Sequence, residues 1–306
     1  MIARYNYNGV TWVDLESPNN EEIAHVLEEF SLPAVAGQEM LTNTLRARVD
    51  TYDAFIYVIL HFPIDAAGNG EKTSEQEVDF LLGSNFVITV RYNLIDPLHQ
   101  FASVFEKRLF GPDEKKTYPS GYIFMEMMRH FYHRSLHELE LMGEKIKHIE
   151  QRIFEGKEAQ MVKEISRMSR RLLDFKRSLR FHGDVLHSYE SASVHLFGGA
   201  YVHYADLITS DYNKVHTLLE SHRDTLAELQ RTNDSLLSTK TNDTMRTFTI
   251  LTFVMVPLTV ITGIFGMNTT ENLVFIRERA DFFLVIVLMF FIAFLMFLFF
   301  KLRKWL

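Results

Sequence analysis

The sequence predicts an α+β domain, then a long stalk helix, then two membrane-spanning helices. Three observations carry that reading. Residues 247–265 and 282–300 are apolar stretches of 19 residues, each without a charge. At 1.5 Å per residue either one makes ~28 Å of helix, about one hydrocarbon thickness. The apolar period changes from strand-like to helical near Tyr118 and stays helical. Between Tyr201 and Pro257 there is neither proline nor glycine, so a single helix is expected to lead into the first apolar stretch.

Residues 1–115 read as the mixed α/β domain. Residues 10–15 are strand-like, and Ser17-Pro18 supplies an N-cap and a first-turn proline for a helix through Phe30. Residues 54–62 form a continuous β-rich apolar run, as expected of a strand covered on both faces. The turn-rich segment 65–70 precedes strands over 77–82 and 86–92, joined by the short connection Gly83-Ser84-Asn85. Asp96-Pro97 opens a helix reaching about Phe110. Residues 116–200 then read as a helical hairpin: one helix to Phe154, ended by Gly156, and a second over about 158–195, stopping before Gly198-Gly199.

The stalk, residues 201–246, carries a seven-residue pattern at Tyr212, Val215, Leu219, His222, Leu226, Leu229, Asn233, Leu236 and Lys240. Steps alternating three and four make a seam that packs on neighbouring helices. From Tyr201 to Phe265 an unbroken helix is ~95–100 Å long, too long for a compact monomeric globule. Residues 247–265 are the first span, 266–281 an extracytoplasmic loop, 282–300 the second span, and 301–306 a basic tail.

Charge and composition narrow the function. The formal charge is −7 and the mean hydropathy −0.03, an average of a polar majority and a very apolar tail. Residues 247–306 carry five basic and three acidic side chains, a net +2, which leaves −9 on residues 1–246. An acidic soluble part argues against nucleic acid as a partner, because phosphate binding needs a basic surface. The absence of cysteine excludes disulfides and thiolate metal sites. The N-terminal residues lack the apolar core of a signal peptide, and Lys301, Arg303 and Lys304 follow the second span directly. Both termini are therefore expected on the cytoplasmic side of the inner membrane in a multi-pass chain. The polar tripeptide Gly266-Met267-Asn268 falls between the spans. Two spans alone cannot enclose a water-filled path, so a tripeptide at its mouth points to ion conduction by an oligomer.

Several segments together carry a resemblance. Thr239-Lys240-Thr241-Asn242-Asp243-Thr244-Met245-Arg246 leads into the first span, and Met255-Val256-Pro257-Leu258-Thr259 and Gly263-Ile264-Phe265-Gly266-Met267-Asn268 follow. The chain ends Lys301-Leu302-Arg303-Lys304-Trp305-Leu306. With Trp12-Val13-Asp14-Leu15, the segment from Arg48 to Phe55, and Glu77-Val78-Asp79-Phe80-Leu81-Leu82, these resemble the CorA family of divalent-cation channels. Gly-Met-Asn after the first of two spans is that family's signature.

The resemblance implies a funnel-shaped homopentamer in the lipid bilayer, with the first spans lining a pore for Mg²⁺, with Co²⁺ and Ni²⁺ as further cargo. It assigns Gly266, Met267 and Asn268 to a selectivity filter. Asn242 and Thr259 match pore-facing polar positions, and Met245, Phe248 and Val256 match apolar constrictions. It also implies closure by intracellular metal held between acidic side chains, with Asp206 as a candidate ligand. The spacing agrees: 242, 245, 249, 252, 256, 259 and 263 trace one helical stripe, which adds Thr249, Thr252 and Gly263, and Phe248 borders it. Mg²⁺ gives up water reluctantly, so a ring of Asn268 and Gly266 oxygens can hydrogen-bond its hydration shell without stripping it.

Other features have quieter readings. His130, His133 and His137 share one helix face with Glu126 a turn before, a spacing that can hold a transition metal, although thirteen histidines also produce such sets by chance. The basic run Arg167, Arg170, Arg171, Lys176, Arg177 and Arg180 is expected to face the helix carrying Glu138, Glu140, Glu144 and Glu150. No nucleophile–base–acid arrangement stands out, so no enzyme is expected. The loop after Gly-Met-Asn is Thr269-Thr270-Glu271-Asn272-Leu273 where family magnesium channels commonly carry Met-Pro-Glu, and Phe265 replaces a common tyrosine. A ring of Glu271 can concentrate cations near the mouth. The departure keeps a proton-coupled zinc carrier of the related ZntB type as the rival reading, beside a membrane-anchored metal sensor that conducts nothing.

Overall fold

The computed structural model describes residues 1–7, 9–44, 46–65, 73–93, 95–108, 120–266 and 279–303. The chain forms two compact units, Met1–Gln230 and Arg231–Leu306.

The first unit is built on a six-stranded mixed sheet. Its strands are β1 (Ile2–Tyr7), β2 (Val10–Glu16), β3 (Arg48–Thr51), β4 (Phe55–Asp65), β5 (Thr73–Gly83) and β6 (Phe86–Arg91), in the spatial order β1-β2-β6-β5-β4-β3. All neighbours pair antiparallel except β2 and β6, where Thr11 lies opposite Phe86 and Val13 opposite Ile88. The apolar run in β4 and the facing part of β5 are buried continuously because both sheet faces are covered. On one face Val13, Leu15, Tyr57, Ile59, Leu81, Ile88 and Val90 pack with Ile23 and Val26 of α1 (Asn20–Glu29) and Ala36 of α2 (Ala34–Glu39). On the other face lie α3 (Asp96–Arg108), α4 (Ser120–Phe154), α5 (Glu158–Ser178) and α6 (His182–Phe197). Rings mark that contact: Trp12 meets Phe101 at 5.5 Å, Phe80 meets Phe124 at 5.1 Å, and Phe62 stacks on Phe131 at 4.2 Å.

Three local expectations change. Helix α1 is capped by Asn19, not Ser17: Asn19 Oδ1 accepts from the Glu22 amide at 2.8 Å and Glu22 Oε2 accepts from the Asn19 amide at 3.1 Å. Ser17 still belongs to the sheet end, donating its amide to the Arg91 carbonyl at 2.8 Å with φ at +42°. The helix expected over 158–195 breaks at residues 179–181 into α5 and α6. The break lets His182 enter the core, where it bonds to β4 and α4 at once. Finally, β1, β3 and α2 are additional elements. Gly156 does end α4, with φ at +85°.

After a 3₁₀ turn (Gly199–Tyr201), α7 runs unbroken over Val202–Phe265, through Pro257. Its seam is buried at Tyr212, Val215, Leu219, Leu226, Leu229 and Asn233, half-buried at His222 and Leu236, and exposed at Lys240. His222 occupies an apolar position of the pattern because its Nε2–H donates to the Leu139 carbonyl at 2.9 Å. Gly143 makes room: a Cβ there would sit 2.9 Å from the His222 ring. Arg129 bonds Asp211 at 3.1 Å and Lys176 pairs with Glu220 at 2.9 Å, tying α7 to α4 and α5.

In the second unit, the end of α7 and α8 (Arg279–Leu302) are, among the described residues, the two helices long and apolar enough to cross a membrane. Their most apolar windows are 0% and 6% buried, so neither serves as the core helix of a soluble domain. Phe253 of α7 meets Phe300 of α8 edge-on at 6.4 Å.

Candidate functional site

The candidate pathway is a face of α7. Met245, Phe248 and Val256 are 63%, 61% and 54% exposed, too much apolar surface to leave in water. Asn242, Thr252, Thr259 and Gly263 are exposed as well, and Thr249 is half-buried. Thr252, Val256 and Thr259 line one shallow groove with Leu251, Met255 and Val260. Of the stripe expected from spacing, that part is brought together on one surface.

The threonines on this helix share a chemistry. Thr249 Oγ1 donates to the Met245 carbonyl at 2.8 Å, Thr252 to Phe248 at 2.9 Å, and Thr259 to Met255 at 2.9 Å. Each hydroxyl proton is committed to the carbonyl four residues back, so the oxygen offers only lone pairs to whatever approaches. Acceptors suit the water shell of a cation, whose hydrogens point outward. Thr262 behaves the same way, donating to Leu258 at 3.1 Å and Thr259 at 2.9 Å. The sequence stripe passed it over, although it lies one turn after Thr259.

Gly266 closes the helix. Its amide donates to the Thr262 carbonyl at 2.9 Å, and a Cβ at Gly266 would lie 2.9 Å from that same backbone oxygen. A side chain is therefore resisted at the first position of the tripeptide. Met267, Asn268 and Glu271 lie outside the described residues.

The remaining candidates separate. Asp206 is exposed near the start of α7. Among the described residues no group of three or more His, Cys, Asp or Glu side chains is placed to hold a metal ion. That corrects the histidine set: His130 packs against Phe101, His133 lies 3.9 Å from Asp211, and His137 lies 3.8 Å from Glu140. The i, i+3, i+7 spacing puts them on one face but gives each its own neighbour. The basic run of α5 does not pair with the acids of α4 among the described residues. Arg167 pairs with Glu164 and Lys176 with Glu220, while Glu138 and Glu144 pair with Arg134 and Lys147 of their own helix.

The α/β domain also holds buried polar networks, of which two stand out here. Trp12 Nε1–H donates to Thr89 Oγ1 at 3.0 Å, whose own proton goes to Asp14 Oδ1 at 2.7 Å. Arg91 completes the first network, reaching Asp14 at 3.1 Å and Glu16 at 2.9 Å. In the second, His182 Nε2–H donates to the His61 carbonyl at 2.7 Å, so Nδ1 is the acceptor for the Tyr132 hydroxyl at 2.8 Å. Burial pushes the His182 imidazolium down to about 4, against the pull of the His61 carbonyl, and the ring is neutral.

Comparison with known proteins places the chain by family and fold. The family described as "CorA-like Mg2+ transporter protein" matches residues 7–304. The "Cobalt/magnesium transport protein CorA" of Thermotoga maritima is 23% identical, with 97% of this chain and 83% of the relative covered. The fold matches that of the complete CorA magnesium transporter from Methanocaldococcus jannaschii, with a TM-score of 0.83, 18% identity, and coverage of 97% of this chain and 92% of that one. The ZntB cytoplasmic domain from Vibrio parahaemolyticus is more distant, with a TM-score of 0.60, 13% identity, and coverage of 76% and 88%. An α/β domain, a long helix and two apolar helices are the fold shared with that transporter, and the class of activity is transport, not catalysis. This chain belongs to the CorA-like Mg²⁺ transporter family.

Proposed function

We propose that the chain is one subunit of a divalent-cation channel, a homopentamer whose α7 ends surround a water-filled pore in the cytoplasmic membrane. Mg²⁺ is the principal cargo, with Co²⁺ and Ni²⁺ admitted by the same chemistry. The observation that carries the reading is the exposed α7 face, where acceptor-only threonines alternate with large apolar side chains. In the proposal Asn268, Met267 and Gly266 form the mouth, holding the ion through its own waters. Met245, Phe248 and Val256 form constrictions that close by dewetting, and Asn242, Thr249, Thr252, Thr259 and Gly263 line the wetted stretches. Glu271 gathers cations outside, Asp206 belongs to a regulatory metal contact between subunits, and both termini lie in the cytoplasm.

Purified protein in liposomes loaded with a Mg²⁺ indicator tests the filter. Wild type passes Mg²⁺ and Asn268→Ala loses most of the flux; equal flux from both removes Asn268 from the filter. The Thr269-Thr270-Glu271 loop in place of Met-Pro-Glu favours the second reading, a proton-coupled Zn²⁺ carrier. Its mark is Zn²⁺ uptake that collapses when the proton gradient is abolished.

A further inference from the structure

Glu77 and Asp79 lie two residues apart on β5, so both side chains leave the same face of the sheet. That face meets α2: the Tyr92 hydroxyl lies 3.3 Å from Asp79 Oδ2 and 3.2 Å from the Glu39 carbonyl. Asp79 is 0% exposed and Glu77 only 6%. Each carboxyl has one oxygen supplied with donors. Asp79 Oδ2 accepts from Tyr57 at 2.8 Å as well as from Tyr92. Glu77 Oε2 accepts from the Thr44 amide at 2.6 Å, with His61 Nε2 at 3.2 Å. The same His61 nitrogen donates to the Thr44 carbonyl at 2.8 Å.

The other two oxygens, Asp79 Oδ1 and Glu77 Oε1, are buried without a donor, and the two side chains, two residues apart on one sheet face, share that dry site. Two ionised carboxylates here would leave both oxygens unsatisfied and put like charges together away from water. One proton between them satisfies both oxygens and removes one charge.

We propose that Glu77 and Asp79 share a single proton between Glu77 Oε1 and Asp79 Oδ1, which leaves Glu77 Oε2 to hold the Thr44 amide and so fasten the α2–β3 connection to the sheet. Among the surrounding groups the acids oppose a second negative charge, while the phenol donors favour it less strongly. Glu39 at the end of α2 and Glu75 on β5 are acidic, and Tyr57 and Tyr92 are neutral phenols. Arg48 of β3 is already engaged by Glu39 and Asp50, each at 2.6 Å. Burial first, then the Glu77 charge, push the Asp79 carboxyl well above the ordinary carboxylate range, outweighing the two phenol donors. His61 titrates beside the pair: burial opposes its charge, and Glu77 and the Thr44 carbonyl favour it more strongly, so its pKa is raised. Loss of the shared proton with rising pH costs folded-state stability, because the fold then binds the proton more tightly than the unfolded chain does.

The test uses full-length protein in detergent, with denaturant unfolding followed across neutral to alkaline pH and infrared spectra at neutral pH. Wild type shows the carbonyl band of a protonated carboxylic acid, and its folding constant falls by up to about tenfold per pH unit through the pair's titration. Asp79→Asn and Glu77→Gln each lose the band and flatten that slope, whereas His61→Asn keeps the band. A wild-type spectrum without the band overturns the proposal, as does a slope that survives Asp79→Asn and vanishes in His61→Asn. Unfolding that depends on added Mg²⁺ and not on pH also overturns it, since a cation then occupies the proton's place. Should Asp79→Asn fail to fold, wild type and Glu77→Gln decide by the infrared band alone.

Discussion

Arg91 carries more of the α/β domain than its one charge suggests. Its guanidinium sits at 6% side-chain exposure between Asp14 and Glu16, and Asp14 is 10% exposed on the same scale. Arg91→Met leaves Asp14 as a buried charge without its cation, for which the expected cost is about 3–5 kcal/mol. Urea unfolding of the full chain measures it. His182 sets the acid limit. An unfolded chain protonates histidine near 6.5, whereas the fold keeps His182 neutral down to about 4. Its contribution is therefore complete above the unfolded value and is lost as pH falls through the folded one, on the order of 3 kcal/mol. Unfolding midpoints at falling pH check this, with His182→Asn flattening the acid limb. Neither role was legible in the sequence. The partners of His182 stand 50 and 121 residues away, and a histidine in a helical run looks like any surface histidine until the chain closes on it.

At the scale of elements, period and punctuation gave the long pieces. The continuous apolar run in β4 marked a strand covered on both faces, and Gly156 marked the end of α4. The edge strands β1 and β3 escaped because half-exposed edges carry little apolar alternation: all four β3 residues are partly or fully exposed. The α5–α6 break escaped because tertiary bonds to His182, and no proline, interrupt the helix. The capping box of α1 was readable as Asn19 and Glu22, but the neighbouring Ser17-Pro18 offered a competing start. Asn19→Ala should cost about 1 kcal/mol in the same unfolding assay. On α7 the stripe was legible from spacing alone, while the direction of the threonine protons was not, because it depends on rotamers. Thr252→Val keeps the shape and removes one acceptor. Mg²⁺ flux in liposomes should fall by roughly three- to tenfold, the worth of one hydrogen bond at a rate-limiting position, with the unfolding midpoint unchanged.

At the scale of the whole molecule, the chain sets an acidic front, −9 over residues 1–246, ahead of two apolar helices whose surfaces a single copy leaves uncovered. Lipid can cover one side of such a helix, but only further copies can turn the side carrying Thr252 and Thr259 toward water. The family supplies the transport activity, and closure around a fivefold axis is the proposal that gives the hydroxyls and Asn268 a common lumen. Two centres tie stability to pH in opposite directions: His182 weakens the fold as pH falls, and the proposed Glu77–Asp79 proton weakens it as pH rises above the unfolded carboxylate value.

The most direct test is Mg²⁺ entry into sealed liposomes containing the full-length oligomer, driven by a Mg²⁺ gradient and membrane potential with the proton gradient collapsed. Water-filled conduction predicts entry that rises with the potential and persists without a proton gradient. Entry that stops when the proton gradient is removed, or no Mg²⁺ entry from correctly inserted oligomers, contradicts the account.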